Sequence, residues 1–341
     1  MTKVFVGMSG GVDSSVTAAL LVEQGYDVTG VYMKNWSQDL PGMKCPWAQD
    51  LADAKRVAVN LGIDFKVFDF ETDYRQKVVQ YMIDEYKLGR TPNPDVMCNQ
   101  EVKFGLFLDM ALEQGADLIA TGHYAKTEQG KLLRAKDENK DQTYFLYRVT
   151  KSALEKTLFP LGDYTKAEVR QLAKKYQLWT ADKKESMGVC FVGQVGMREF
   201  LSQYVQTQSG DIIDENGRVV GQHDGAIFYT IGQRHGLDVG GGLPYYVTGK
   251  DIDKNQVFVS QNLENQAIWR DEFEVNNIHW ISGQTPDKSD LKLRIRHRAP
   301  LVDCRLDGSK VSLDNAQRAI TAGQSAVFYD GDQCLGGGIV A

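Results

Sequence analysis

Residues 4–15, with the sequence VFVGMSGGVDSS, constrain the fold more than any other stretch of the chain. Residues 4–6 are apolar, as in a buried parallel strand, and the Ser-Gly-Gly-x-Asp-Ser turn that follows predicts a helix starting near Ser14. Adjacent glycines permit positive φ and carry no Cβ, so backbone N–H groups can converge on an anion at the helix N-terminus. The alternative is an ordinary strand-to-helix turn capped by Asp or Ser. The turn lacks both the Gly-Lys-Ser/Thr of a Walker A loop and the dinucleotide fingerprint G-x-G-x-x-G.

Length and composition indicate a soluble chain of two or three domains. The 341 residues suffice for a large core, and the net charge of −6 argues mildly against nucleic acid, although a local basic stripe would outweigh it. The chain starts without a signal-peptide pattern and has no apolar run approaching the length of a membrane span, so we expect a cytoplasmic protein. Its five cysteines are odd in number and widely spaced, which indicates neither a disulfide framework nor a zinc site.

Strand and helix patterns alternate up to residue 121, which predicts a parallel sheet covered on both faces. The expected elements are helices 14–24, 47–61, 72–89 and 101–114 and strands 27–34, 64–70 and 116–121. Ligands of such sheets bind beyond the carboxyl ends of the strands. Met33 ends the second strand and is either an adenine contact or a core residue, and Gly122 lets the backbone approach a ligand after the last strand.

The stretch Gly89–Asn99, GRTPNPDVMCN, interrupts this pattern with two prolines, which predict a stiff, extended loop. Asp95 and Cys98 are three residues apart, so one tight turn could bring the carboxylate and the thiol together. They are either a reactive pair or an N-cap Asp followed by a buried Cys.

Three later features are ambiguous on chemistry alone. His123 is either a donor to a ligand or a structural strand-end histidine. The helix 165–178 begins with a capping box of Thr165 and Glu168, and its basic side is either solvated or near RNA phosphates. Cys190 lies between glycines and follows two lysines at 183 and 184, so it is either a reactive thiolate or a strand cysteine.

After residue 206 the pattern changes to short strands and glycine-rich turns, with a second change near 265. The last segment predicts a small β-barrel with strands 273–280, 291–298, 302–306, 310–313 and 325–329. In LKLRIRHR, residues 291–298, cations occupy alternate positions, which predicts four positive charges on one sheet face and a polyanion partner.

With these residues assembled, the SGGVDSS turn resembles the PP-loop of ATP pyrophosphatases, and the whole chain resembles the tRNA-specific 2-thiouridylases. Several motifs carry the resemblance in order: SGGVDSS, TPNPDVMCN followed by KF, GHYA, KDQTYFL, ESMGVCF, YTIGQRHGL and GQSAVFYDGDQCLGGG. The resemblance implies an α/β fold with a PP-loop catalytic domain (1–205), a small β-rich central domain (206–264) and a C-terminal β-barrel that contacts tRNA (265–341).

The resemblance also implies the site residues. Cys98 would be the nucleophile, Cys190 the persulfide carrier, and Asp95 an acid–base group or a holder of the base. The other implied contacts fall into three sets: for ATP, Gly7, Met8, Ser9, Gly10, Gly11, Val12, Asp13, Ser14, Met33 and Gly122; for the target base, Asn93, Pro94 and Asp95; for tRNA, His123, Lys140, Asp141, Gln142, His297, Arg298 and Gln324.

The implied reaction is ATP-dependent adenylation of O2 of the wobble uridine (U34) and its replacement by sulfur. The base must be flipped out of the anticodon loop, because the atom is inaccessible in a stack. We expect Mg²⁺ as a counter-ion for the phosphates, no tightly bound metal, a persulfide-carrying donor protein, a Cys98–Cys190 disulfide after turnover, and a monomer when free. The rivals are a PP-loop ligase or amidotransferase that adenylates a small acid, and a non-catalytic RNA-binding protein.

Overall fold

The structure, a computed structural model, describes residues 1–39, 45–184, 196–237, 239–240, 243–262 and 264–341. The strands of these ranges, numbered along the chain, are β1 Lys3–Gly7, β2 Asp27–Lys34, β3 Asp64–Asp69, β4 Leu118–Ala120, β5 Lys126–Glu128, β6 Lys131–Leu133, β7 Thr157–Leu158, β8 Gly210–Ile213, β9 Val219–His223, β10 Tyr246–Asp251, β11 Gln256–Ser260, β12 Trp269–Trp280, β13 Asp290–Arg294, β14 Val302–Asp307, β15 Lys310–Arg318, β16 Ser325–Asp330 and β17 Gln333–Val340.

The helices are concentrated before residue 206. They are α1 Val12–Glu23, α2 Trp47–Leu61, α3 Glu71–Tyr74, α4 Gln80–Lys87, α5 Pro94–Met97, α6 Phe107–Glu113, α7 Thr143–Leu146, α8 Lys151–Glu155, α9 Lys166–Lys175 and α10 Met197–Leu201. Two π-helical segments, Arg75–Val79 and Cys98–Leu106, join α3 to α4 and α5 to α6. Among the described helices, none combines the length and the apolar character that crossing a bilayer requires.

The first sheet has the order β3-β2-β1-β4-β7, and all its neighbours are parallel. Val4 and Val6 of β1 pack into one apolar cluster with α1, α2 and α9, whereas Phe5 packs into the other with the helices of residues 71–113. The period-two alternation of β1 therefore buries both faces of the sheet, as predicted. The carboxyl ends of its strands share one edge, where the glycine turn lies.

Two further sheets follow. The first has the order β10-β11-β8-β9, and the second closes strands β12-β15-β14-β13-β16-β17 into a six-stranded barrel through pairing of β12 with β17. The parallel-sheet domain, the β-rich middle and the barrel confirm the predicted fold class.

Strand pairing joins the barrel to the hairpin that follows the parallel sheet. The hairpin β5–β6 extends the barrel sheet because Leu132 and Leu133 pair with Cys334 and Gln333 of β17. The domain boundaries near residues 206 and 265 remain predictions. The hairpin precedes residue 206 in the sequence but pairs with a barrel strand, so the barrel sheet includes residues of the predicted first domain.

Two local predictions were wrong. Gly89–Asn99 is not extended throughout, since Pro94 starts a helix: Pro is tolerated at the first helical position, and the Asn93 side chain accepts bonds from the N–H groups of Asp95 (3.2 Å) and Val96 (3.4 Å). The strand predicted over 291–298 ends at Arg294, so its cations do not share one face.

The four cations of that stretch have separate partners. Lys292 pairs with Asp303 on the neighbouring strand, and Arg294 is buried. Arg296 donates to the carbonyl of Ala319, and Arg298, at φ +65°, donates to the carbonyl of Asn139. Alternation predicts a face only while the chain stays extended.

Candidate active site

The glycine turn begins at the end of β1 and leads into α1, which starts at Val12, two residues before the predicted position. Gly10 has φ +73°, and a Cβ there would lie 2.3 Å from the carbonyl oxygen of Asp50. The Ser14 hydroxyl lies 3.2 Å from the backbone nitrogen of Ser9, which donates to it, and 3.3 Å from the Ser9 hydroxyl. The turn is therefore tightly folded over the first residues of α1, where backbone N–H groups are left for an anion.

A cavity of about 200 Å³ lies beside this turn, and we call it the nucleotide cavity. Its lining combines predicted ATP contacts with residues of the strand β4 end and of the second π-helical segment: Gly7, Ser9, Asp13, Ser14, Met33, Lys103, Thr121, Gly122, His123 and Gln142. The Met8 side chain is buried in the core, so only its backbone faces the turn region. A Cβ on Gly122 would lie 2.8 Å from the Ser14 nitrogen, which explains the need for glycine after β4.

Lysines from two distant elements hold the carboxylates around the turn. Lys166, the first residue of α9, lies 2.7 and 2.8 Å from the two oxygens of Asp13, and Tyr124 donates its hydroxyl to Asp13 at 3.0 Å. Lys183 reaches Asp50 at 2.7 Å and Asp53 at 2.6 Å, and it also donates to the carbonyl of Gly10 at 3.0 Å. The basic face predicted on α9 therefore begins at the nucleotide cavity.

Asp95 and Cys98 lie three residues apart in the continuous helix from α5 to α6. Asp95 is in the first turn of α5, and Cys98 opens the π-helical segment with only 3% of its surface exposed. Burial raises the pKa of Asp95, and the nearby Lys103 ammonium opposes that shift. Cys190 lies outside the described residues. The structure thus places one predicted thiol and its carboxylate, and the role of both stays a prediction.

His123 is buried below the cavity surface. Its Nδ1 lies 2.8 Å from the hydroxyl of Thr121 and its Nε2 lies 3.4 Å from Nζ of Lys103. Burial, with a further contribution from Lys103, lowers the pKa of His123 well below its usual value, so the ring is neutral. The residue predicted to contact tRNA faces the nucleotide cavity.

A second cavity of about 270 Å³ adjoins the first, and we call it the basic cavity. It is lined by residues of the glycine turn, of the 140–142 segment and of the barrel: Ser9, Gly11, Val12, Asp13, Tyr124, Lys140, Gln142, Lys184, His297 and Arg298. The two cavities share Ser9, Asp13 and Gln142. Residues predicted for ATP and for tRNA therefore line adjoining spaces.

Two predicted tRNA contacts lie elsewhere. The carboxylate of Asp141 is fully buried and pairs with Arg294 of β13 at 2.9 Å, so its contact is with the barrel. Gln324 lies in the turn before β16, next to Gly323, whose Cβ position would touch Arg90 and Thr91. This places Gln324 near the loop that precedes α5.

Sequence reasoning missed the roles of several cavity residues. Lys103 lies in the KF pair that follows the Cys98 motif, and Tyr124 lies in GHYA, so both were inside quoted motifs without an assigned role. Lys184, which lines the basic cavity, was noted only as a basic neighbour of Cys190, and Lys166, which holds Asp13, was covered only by the basic side of the helix 165–178. These positions depend on long-range packing, for which no local signal exists.

Three family models match consecutive parts of the chain, in the order of its three sheets. Residues 2–194 match the family described as tRNA methyl transferase HUP domain, residues 198–261 the tRNA methyl transferase PRC-barrel domain, and residues 270–340 the Aminomethyltransferase beta-barrel domain. Among solved structures, a 4-thiouridine synthetase–RNA complex with bound ATP has TM-score 0.39 at 18% identity, covering 60% of this chain and 50% of that chain.

Relatives that match over the full length have a single name. "tRNA-specific 2-thiouridylase MnmA" of Bacillus subtilis (strain 168) is 47% identical over 351 residues, with 99% of this chain and 95% of the relative covered. The protein of the same name from Limosilactobacillus fermentum is 49% identical over 358 residues, with the same coverage. At this identity and coverage the resemblance inferred from the motifs is confirmed, and the chain belongs to the family of tRNA-specific 2-thiouridylases.

Proposed function

We propose that this protein uses ATP to replace O2 of the wobble uridine of tRNA by sulfur, giving 2-thiouridine. The observation that carries the proposal is the pair of adjoining cavities, which share Ser9, Asp13 and Gln142. An adenylating turn and residues of a tRNA-contacting barrel meet there. In this proposal residues 1–205 carry the catalysis, 206–264 form the central domain and 265–341 contact tRNA.

ATP binding is assigned to the nucleotide cavity. Backbone N–H groups at the start of α1 receive the phosphates, and Gly122 leaves that turn unobstructed because it carries no Cβ to press on the Ser14 nitrogen. Mg²⁺ bound to the phosphate oxygens would supply charge neutralisation during ATP cleavage. The carboxylate available for it is Asp13, whose oxygens are already held by Lys166, so the phosphates would provide most of its ligands. Among the described residues no group of three metal-binding side chains occurs.

The extruded uracil is assigned to the start of α5, against Asn93, Pro94 and Asp95. Asp95 is largely buried with a raised pKa, which suits it to take the uracil N3 proton or to hold the base. Lys140, His297 and Arg298 line the basic cavity, where RNA phosphates would lie near the extruded base. Asp141 is assigned a supporting role, because its carboxylate is not accessible to RNA.

Sulfur transfer follows activation. Uracil O2 attacks the α-phosphorus of ATP, and pyrophosphate leaves with the electron pair of the broken bond. The terminal sulfur of a Cys190 persulfide, received from a donor protein, then attacks C2 and expels AMP. Finally the Cys98 thiolate attacks the Cys190 sulfur, which leaves thiouridine and a Cys98–Cys190 disulfide for later reduction. In a second order, Cys98 first releases hydrogen sulfide from the persulfide, and this attacks C2.

The test incubates the enzyme with ATP, a persulfide donor and unmodified tRNA, and measures thiolated nucleoside by mass spectrometry. Cys98→Ala and Cys190→Ala should each abolish the product while tRNA binding is retained. Cys304→Ala is the matched control, because burial raises the pKa of that barrel thiol to about 12 and keeps it protonated. Full product from either Cys98→Ala or Cys190→Ala would contradict the mechanism, and ATP–pyrophosphate exchange driven by a small acid would favour a ligase.

A further inference from the structure

Lys103 occupies a position that none of the predicted contact sets includes. It lies in the π-helical segment Cys98–Leu106, five residues after Cys98, and its side chain lines the nucleotide cavity together with Ser14 and Gly122. Segments of π-helix are rare in proteins, but those that occur are often found at functional sites. The same continuous helix carries the assigned base contacts at its start, so Lys103 joins the base side of the site to the nucleotide side.

The surroundings of Lys103 direct its ammonium group towards a ligand. Nζ lies 3.4 Å from Nε2 of His123, and a histidine side chain supplies no negative charge to balance the ammonium. Asp95 is the carboxylate whose pKa responds to Lys103, and burial raises that pKa. Lys103 lines a partly buried cavity, and the described hydrogen-bond neighbour of its ammonium is a histidine rather than a carboxylate, so the group is suited to an anionic ligand.

The position of Lys103 indicates which phosphate group of ATP it contacts. The distal phosphates belong at the backbone N–H groups that begin α1, in the part of the nucleotide cavity lined by Ser9, Asp13 and Ser14. The extruded uracil is assigned to Asn93–Asp95, at the start of the helix that carries Lys103. The α-phosphate must lie between them, because its phosphorus is attacked by the uracil oxygen, and Lys103 is a cation lining the nucleotide cavity.

We propose that Lys103 is a catalytic residue whose ammonium contacts the α-phosphate of ATP and of the adenylated uridine. This assignment rests on the proposed function. As the new bond between O2 and the phosphorus forms and the bond to the leaving pyrophosphate breaks, negative charge grows on the α-phosphate oxygens, and Lys103 stabilises it without transferring a proton.

The test compares Lys103→Met and Lys103→Arg with wild type, and uses Lys77→Met as the matched control. Lys77 lies in the neighbouring π-helical segment and pairs with Glu101 at 3.4 Å on the surface, so its loss leaves the cavity unchanged. Isothermal titration measures the affinities for AMP, which carries the α-phosphate, and for adenosine, which lacks it. Stopped-flow detection measures pyrophosphate release in the presence of ATP and unmodified tRNA.

Lys103→Met should weaken AMP binding about tenfold relative to adenosine and slow pyrophosphate release about 10²–10³-fold. Lys103→Arg should recover a large part of both, and Lys77→Met should match wild type. An unchanged ratio of AMP to adenosine affinity in Lys103→Met would overturn the assignment, as would pyrophosphate release within threefold of wild type. If wild type makes no thiolated nucleoside, the proposed function fails, whereas the ratio of AMP to adenosine affinity still decides the role of Lys103.

Discussion

Replacing Arg294 by Met should destabilise the attachment of the barrel by about 3–5 kcal/mol, the cost of removing one partner from a buried ion pair. Arg294 Nη1 lies 2.9 Å from Asp141 Oδ2, and the side chains are 6% and 0% exposed. Without the guanidinium, Asp141 keeps bonds from the Ala135 N–H at 3.1 Å and from the Thr143 hydroxyl at 2.9 Å. These bonds support the carboxylate but leave a buried negative charge without a counter-charge.

A double-mutant cycle separates the pair from the rest of the packing. The variant with both Arg294→Met and Asp141→Leu replaces the ion pair by apolar side chains. It should therefore lose less free energy of unfolding than the two single variants lose together. The matched control is Arg305→Met in the same barrel. Arg305 pairs with Asp290 at 3.2 Å, but these side chains are 70% and 79% exposed, so its loss should cost at most ~1 kcal/mol.

Urea unfolding followed by tryptophan fluorescence provides the assay. Trp280 of β12 packs on Phe328, with ring centroids 5.6 Å apart, and reports on the barrel. Because a chain of several domains need not unfold in one step, the barrel transition is fitted separately. A loss of less than about 1 kcal/mol in the free energy of unfolding for Arg294→Met, or strictly additive losses in the two single variants, would refute the assignment of this pair as a stabilising link between the barrel and the first 205 residues.

Three further predictions concern the cavities. Gly122→Ala should weaken ATP binding at least tenfold in calorimetry, because its Cβ would meet the start of α1. Gly240→Ala is the control and should leave the affinity for ATP unchanged, because a Cβ at Gly240 has no neighbouring atom within 4 Å. Burial, with Arg298 adding to it, lowers the pKa of His297 from 6.5 to about 4, so its contribution to stability is complete above pH 6.5 and is lost as pH falls towards 4. His297→Phe should therefore flatten the dependence of the melting temperature on pH in that window, and an unchanged slope would contradict it. Lys166→Met should weaken ATP binding by leaving the Asp13 charge uncompensated beside the phosphates; equal binding by Lys166→Met and wild type would refute this.

Local sequence signals predicted the parts of the fold whose causes are local. The alternation of Val4, Phe5 and Val6, the capping box of Thr165 with Glu168 and the strand–helix succession each depend on neighbours within a few residues. The glycine turn was predictable for the same reason. Its conformation needs a positive φ at position 10, and the sequence has a glycine there, which adopts positive φ without strain.

Where sequence reasoning failed, a contact of one side chain outweighed the expected pattern. Alternating cations predicted one basic face on residues 291–298, but the chain leaves the strand after Arg294, and that arginine is buried because Asp141, far away in the sequence, needs a counter-charge. Two prolines predicted a loop, but the Asn93 side chain caps a helix that starts at Pro94. In both cases the observed structure depends on one side chain, Asp141 or Asn93, whose contact the spacing of apolar and charged residues does not indicate.

Several links between the barrel and the first 205 residues lie in one short segment, residues 132–144. Leu132 pairs with Cys334 of β17, Asp141 pairs with Arg294, and the Tyr144 hydroxyl donates to the carbonyls of Ile295 at 3.2 Å and Ser325 at 3.0 Å. Lys140 and Gln142, which line the basic cavity, lie inside this segment. Loosening the barrel should therefore disturb the cavity from both sides, because Lys140 and Gln142 lose their support while His297 and Arg298 move away. Barrel variants such as Arg294→Met should consequently impair tRNA binding and tRNA-dependent pyrophosphate release together, and loss of only one of the two would show that the adjoining cavities work independently.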